Sequence, residues 1–490
     1  MQLKKIIILI LSGMVIGVTI YLLQLGHPGD DGRTLNIPDT DSIKEINEEY
    51  LGIFIKGQRV GYTFTKIKTL KAGLEIESNS QMTINMMNEI TTLATHLFAR
   101  TDGDYALKNF TIAINAKGHE SKIEGVIDNH KLNLTTYSHG VKQTQTKEIK
   151  DKPYIPDVVD LIIQKKNLKP GDEITIPYFD PTSQSTGAAK IKVYPPERVK
   201  VFDKERIGKK IEINFMGILT YLWLDEDNKI IKNATPNLYM EMIPISKEEA
   251  LREVKPEEAF DLLGFFSVKL AQPLPSDKKI TYVQLKLSEI SDEGLDLEDD
   301  FQKVISKEPL VIEITRADIN QLPPSNLPIN EYTEFLKPSA YIQCDHPEII
   351  KAAKRIVGNE KSVINISQRL TNGVYRMLNK VPTPSMPSAI DVLKTKEGDC
   401  NEHSVLFTAL ARALGIPAKI YVGLVNLEGD AYFYHAWCAV WLGKWIPVDP
   451  TFNQFPADVY HLKLKEGEIA DWAEVMKVVG RIQIEVLEYH

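Results

Sequence analysis

The chain has 490 residues, a net charge of −8 and a pI near 5.8. That length accommodates about three globular units of ordinary size. The acidic balance lacks the basic footprint of a nucleic-acid binder, and three cysteines do not make a disulfide framework.

In chain order, the first feature is Ile6 to Leu25, an almost unbroken apolar run preceded by Lys4 and Lys5. About twenty apolar residues span a bilayer as a helix, and early lysines favour an N-in orientation. Gln24-Leu25-Gly26-His27-Pro28 is a poor small-residue cleavage site. The expectation is a single-pass transmembrane signal anchor over residues 1–28, with the bulk of the chain periplasmic or extracellular and the membrane as a partner.

Residues 45–245 carry strand signals separated by turn residues. Examples are Tyr50 to Ile55 followed by Lys56-Gly57, Phe110 to Ile114, and Ile211 to Phe215. They predict an antiparallel β-rich region, either two halves or one large curved sheet, interrupted by a short helix over Asp157 to Lys165. A small mixed or β domain is expected at 250–320, with helix from Ser246 to Phe266 and strands at Thr281 to Leu287 and Leu310 to Thr315. The acidic stretch Ser291 to Asp300 lacks the ligand alternation of a calcium loop and reads as a solvated turn.

The proline-rich segment Asn320 to Pro328 marks a boundary, and residues 330–490 form the last domain. Helical periodicity at Pro347 to Val357 and Val363 to Leu378 precedes strands at Ala418 to Val425, Tyr432 to Leu442, Lys444 to Asp449 and Arg481 to Leu487. Helices followed by strands suit an α+β fold with a helix packed on a sheet.

The chemistry is concentrated in this last domain. Gly398-Asp399-Cys400-Asn401-Glu402-His403 leads into Ser404 to Leu414, whose only charge is Arg412, so that helix is expected to be buried on most sides. Gly415 and Pro417 stop it. Asp399 is a natural N-cap, and Cys400 then lies where unpaired N–H groups favour a thiolate over a thiol that ordinarily titrates near about 8.5.

On the following hairpin, His435, Trp437, Ala439 and Trp441 share one face. A three-residue loop, Leu442 to Lys444, pairs Trp441 with Trp445 and sets Asp449 diagonal to His435 on that face. A two-residue turn would point the carboxylate away. A thiol, an imidazole and a carboxylate in this order suit nucleophilic acyl chemistry.

Cys400-x-x-His403 and His435-x-x-Cys438 also contain zinc-ligand types. Strand positions three apart face opposite ways, however, so His435 and Cys438 cannot both reach one ion, and no metal or cofactor is expected. Glu402 and His403, in the first turn after the nucleophile, are open between tuning it or contacting substrate and making local hydrogen bonds, with the last favoured. Trp437 is open between shielding an acyl-enzyme and plain packing, and His461 is open between bordering the cleft and the favoured structural role. Cys344 and Cys438 have no evident partner.

Cys400, His435 and Asp449, set in GDCNEH, YHAW and VDPT, resemble the transglutaminase-like superfamily of papain-like fold, from near Tyr341 to the end. The resemblance implies that Cys400 is the nucleophile, His435 the general base and acid, and Asp449 the orienting acid. It implies a protein or peptide substrate with no cofactor, and a bacterial cell envelope setting. Protein-crosslinking members carry a tryptophan directly after the nucleophile, where this chain has Asn401, so water rather than an amine is the expected acyl acceptor. The competing expectation is a non-catalytic binding or scaffold protein that retains the fold. The whole-chain expectation is thus α+β: a papain-like core preceded by antiparallel β-rich domains and an N-terminal transmembrane helix.

Overall fold

The structure, a computed structural model, describes residues 45–490 apart from 87–88, 117–118, 139–140, 183, 216, 278, 324–326, 340, 382–387 and 468–472. Residues 45–262 and residues 263–490 belong to separate compact units.

The alternation in the first unit builds two meanders. The first comprises β1 (Glu45–Ile55), β2 (Gln58–Leu70), β3 (Gly73–Met86), β4 (Glu89–Thr101), β5 (Leu107–Ala116), β6 (His119–Asp128), β7 (Lys131–Ser138) and β8 (Val141–Glu148). Helix α1 (Val159–Lys165) follows. The second meander is β9 (Glu173–Asp180), β10 (Ser185–Val201), β11 (Lys204–Phe215), β12 (Ile218–Leu224), β13 (Ile230–Thr235) and β14 (Met240–Pro244). Tight hairpins set the registers. Lys56 and Gly57 both have positive φ, as a two-residue turn between right-twisted strands requires, and they place Ile55 opposite Gln58.

Antiparallel pairing of β1 with β14 fuses the meanders into one sheet, in the order β8 to β1, then β14 to β9. The short β15 (Phe260–Asp261) adds to β3 in parallel. The outer strands β8 and β9 also approach each other. Gln145 and Lys147 of β8 donate to the side chain and carbonyl of Gln184, in the turn after β9, at 2.6 and 2.7 Å. Of the two arrangements the sequence left open, the structure forms one large sheet.

The second unit contains two sheets and a helical layer. Its strands are β16 (Val268–Lys269), β17 (Tyr282–Ser288), β18 (Gln302–Lys307), β19 (Leu310–Thr315), β20 (Asn379–Lys380), β21 (Glu397–Gly398), β22 (Ala418–Asn426), β23 (Ala431–Trp441), β24 (Trp445–Val448), β25 (His461–Glu466) and β26 (Gln483–Tyr489). Its main helices are α2 (Pro347–Val357), α3 (Val363–Met377), α4 (Ala389–Thr395) and α5 (Cys400–Ala413). One sheet runs β16-β23-β22-β25 with β24 also on β23; another runs β18-β19-β17-β26. The C-terminal strand therefore joins β17 rather than the hairpin sheet, where β25 takes the expected place.

Helix α5 packs on β22 and β23 and is flanked by α2, α3 and α4, which is why its apolar run covers nearly its whole circumference. The acidic stretch 291–300 is less solvated than its composition suggests. Its backbone and carboxylates receive Lys463 and Lys465 of β25, and Asp300 accepts the Trp445 N–H at 2.7 Å.

The expected fold class is corrected. Strand dominates the chain as a whole through the large antiparallel sheet, so the protein is β-rich rather than α+β. The expected N-terminal transmembrane helix has no support in the described residues. No described helix is long and apolar enough to cross a membrane, and residues 6–25 lie outside the described residues.

Candidate active site

The site is assembled where β23 lacks a neighbour along one edge. On that edge β16 covers residues 431–432 and β24 covers 438–441, leaving the peptides around His435 and Ala436 beyond both ladders. The N-terminus of α5 meets the strand in this gap, and the Ala436 N–H donates to the Cys400 thiol.

Asp399 caps α5. Its Oδ1 accepts the Asn401 N–H at 3.0 Å, while the Glu402 carboxylate reaches back to the Asp399 N–H at 2.9 Å, forming a capping box. Gly398 permits the closure. Its φ is +152°, and a Cβ there would lie 2.2 Å from the Glu402 Cβ. His403 adds a further tie, with Nδ1 2.6 Å from the Asp399 carbonyl oxygen. Burial holds the His403 imidazole down at about 4, so it is neutral.

The hairpin forms the three-residue loop. Trp441 faces Trp445 and Cys438 faces Val448, with the Leu442 N–H bonded to the Lys444 carbonyl at 2.9 Å. That register brings His435 Nε2 to 2.8 Å from Asp449 Oδ2. The motif after the strand explains the rest of the carboxylate's environment. Pro450 starts a tight turn, and Asp449 Oδ1 accepts the N–H groups of Thr451 and Phe452 at 2.7 and 3.1 Å.

His461 completes this cluster. Its Nε2 is 3.0 Å from Asp449 Oδ2, and its Nδ1 is 3.0 Å from Asp458 Oδ1. Two carboxylate partners require two N–H donors, which makes His461 an imidazolium. Burial opposes that charge, but the bonds to Asp449 and Asp458 outweigh it and raise the group to about 9. Asp449 thus receives four donors. Burial works against its charge, yet His435 and His461 hold the carboxyl far below the ordinary range. With Nε2–H of His435 committed to Asp449, Nδ1 is its basic nitrogen.

The thiol is a correction to the sequence reading. Burial leads, followed by the negative charge of Asp399, and with Glu402 and Asp449 they raise Cys400 well above its ordinary value; only the Ala436 N–H opposes them. The helix terminus therefore does not produce a resting thiolate. Cys400 is 2 % exposed, His435 1 % and Asp449 0 %.

Aromatic rings wall the imidazole. Trp437 stacks parallel to His435 at 6.0 Å, and the Phe452 ring lies at 5.2 Å. The zinc alternative separates as expected on the strand: Cys438 instead points to the Ser404 carbonyl at 3.4 Å, and burial pushes it up to about 12. His435, Asp449 and His461 do offer three possible ligand atoms within 4.8 Å of one another. Both imidazoles nevertheless donate to the same oxygen, an arrangement of protons rather than of lone pairs facing an ion.

Three neighbours were not assigned to the site from sequence. Asp458 and His461, three apart, carried only the signal of an acid and a histidine entering a strand. Lys380 is brought in by β20, which pairs in parallel with β21 and sets Lys380 beside Gly398. Burial lowers this lysine to about 8, against the pull of Asp449, and its ammonium lies 3.9 Å from the Tyr375 ring centroid.

Residues 350–450 match the family model of the transglutaminase-like superfamily, a span that contains Cys400, His435 and Asp449 but ends before His461. No curated protein matches the chain. Among solved structures, a protein of Cytophaga hutchinsonii provisionally assigned as a cysteine protease is 18% identical, over 43% of this chain and 86% of its own, with a TM-score of 0.28. A β-barrel-like protein from a Brucella abortus domain family of unknown function is 10% identical, over 42% of this chain and 98% of its own, with a TM-score of 0.31. A provisionally assigned protease from Parabacteroides distasonis is 11% identical, over 72% of this chain and 67% of its own, with a TM-score of 0.21. The family likeness therefore rests on residues 350–450, which match the transglutaminase-like superfamily.

Proposed function

We propose that the second unit is a cysteine-protease-like amide hydrolase. Cys400 Sγ attacks the carbonyl carbon of a peptide or glutamine-like amide as its proton passes to His435 Nδ1. The proton then goes to the departing amine, the C–N bond breaks, and a thioester remains. Water, deprotonated by the same nitrogen, attacks the thioester and releases the acid and the free thiol.

The observation that carries this reading is the four-donor Asp449, which fixes the His435 tautomer and keeps a negative charge beside the imidazolium that forms during attack. Because burial keeps the resting thiol protonated, His435 acts as a base during attack rather than as half of a standing ion pair. His461 is a positioning residue. Held by Asp458, it fixes Asp449 from the side away from the backbone turn. Asn401, in the position after the nucleophile, supports water as the acceptor.

The test is turnover of glutamine-containing peptides in ¹⁸O-water, with and without a lysine-like amine. The expected result is acid product carrying ¹⁸O from the wild type and none from Cys400→Ala. Amine adducts exceeding acid product would overturn water as the acceptor. Absence of both acid and acyl-enzyme would overturn the enzyme and favour the second reading, a non-catalytic module of the same fold, which the near-complete burial of Cys400 supports.

A further inference from the structure

The first unit contains a cavity that the proposed chemistry does not use. It has a volume of about 110 Å³, is partly open to solvent, and lies between α1 and residues of strands β1, β2, β9 and β11 to β14. Its walls are mostly apolar, including Leu51, Ile67, Ile213, Phe215, Leu222 and Met242. Three carboxylates enter it: Glu49 from β1, opposite Thr65, and Asp157 and Asp160 from the segment that begins α1.

No lysine, arginine or histidine lines this cavity among the described residues, and the remaining titratable group is Tyr178. Asp157 has a hydrogen bond from the Ser78 hydroxyl and feels the charges of Asp160 and Asp180. Burial, and then the Asp160 charge, raise Glu49 to about 8, while burial raises Asp157 and Asp160 to about 6. A second observation points to a ligand independently of the acids. Asn233, only 8 % exposed, lines the same cavity, and its Oδ1 has no hydrogen-bond partner. An orphaned buried acceptor is costly, and here it lies beside three more acceptors in an apolar chamber.

We propose that this cavity binds a small organic ammonium ion with an apolar body. Its N–H groups would be accepted by Asn233 Oδ1 and the carboxylates, and its hydrocarbon part would lie against the apolar wall. An apolar lining with a few convergent polar groups is that of small-molecule sites in general. A cation entering such a site favours the ionised carboxylates, so binding near pH 7 releases protons, chiefly from Glu49.

The experiment is calorimetry of the full chain with decylammonium, decanol and decanoate at sub-micellar concentrations, repeated in buffers of different ionisation enthalpy. The expected result is decylammonium binding at least about tenfold more tightly than decanol, with no binding of decanoate and with release of up to about one proton per cation at pH 7. In Glu49→Gln/Asp160→Asn, checked for folding by circular dichroism, the preference for the cation should fall to within about twofold and proton release should vanish. Decanol or decanoate binding as tightly as decylammonium, or no saturable binding of any of the three to the wild type, would overturn the proposal. The wild-type comparison decides it even if the variant does not fold.

Discussion

A fully buried carboxylate and a set of half-buried ones meet opposite conditions in this chain. Asp449, in residues 263–490, is enclosed and accepts four hydrogen bonds, two from imidazoles and two from backbone amides. Glu49, Asp157 and Asp160, in residues 45–262, share an apolar cavity without a lysine, arginine or histidine in its lining. The first is held ionised and the others are pushed toward the neutral form. Desolvation is common to both, so donors and charges decide the protonation state. A carboxylate saturated with donors orients a neighbour, whereas carboxyls short of donors leave room for a cation.

The sharpest break in this contrast is Asp449→Asn. The amide retains an acceptor for His435 but removes the charge that both imidazoles require, so turnover should fall about a thousandfold or more. Retention of more than a tenth of the wild-type kcat in a folded variant would remove Asp449 from the mechanism.

The next effect is on stability and concerns His461. Its folded pKa of about 9 lies above the ordinary value near 6.5, so its contribution is fully present below about pH 6.5 and is lost as pH rises to about 9. Urea unfolding of the second unit should lose up to about 3 kcal/mol across that window. His461→Gln should flatten the profile, and an unchanged slope would show that the imidazolium is not held as described.

Gly398→Ala tests the frame that carries the thiol. A Cβ at that φ, driven into Glu402, should open the capping box and cost about 1–3 kcal/mol, read as a lower melting temperature. A melting temperature equal to the wild type's would contradict the close approach.

A further effect on stability is expected in the first unit. Glu49 titrates at about 8 when folded but near 4.5 otherwise, so it favours folding below about pH 4.5, and that advantage declines as pH rises to about 8. Glu49→Gln should raise first-unit stability at pH 8 by up to about 4 kcal/mol and leave it nearly unchanged at pH 4. Equal effects at both pH values would mean that the carboxyl is ionised throughout.

What could be read from sequence follows the range of the interactions involved. The capping box, the buried helix after Cys400 and the three-residue hairpin are local, and each had a signature: Asp399 with Glu402, an apolar run stopped by Gly415, and a register counted from Trp441 to Trp445. The pairing of β1 with β14 joins segments about 190 residues apart, and nothing in either strand names its partner. The same limit hid His461, whose role depends on β25 reaching β22 at Gly423, where a side chain would meet the Leu462 carbonyl at 2.0 Å. It also hid the neutral thiol. Helix position and the neighbouring Asp399 and Glu402 are written in sequence, but the burial that leads in raising Cys400 and the approach of Asp449 come from tertiary packing.

The most direct test of Cys400 and His435 as a working pair is the rate of Cys400 alkylation against pH, followed by peptide mass spectrometry in wild type and His435→Ala, with buried Cys438 as the internal control. In the wild type, reaction at neutral pH should depend on His435 acting as base. In the variant, it should become slow until the pH is well above the ordinary thiol range, where the thiol ionises unaided. Superimposable profiles for the two proteins would contradict the pairing.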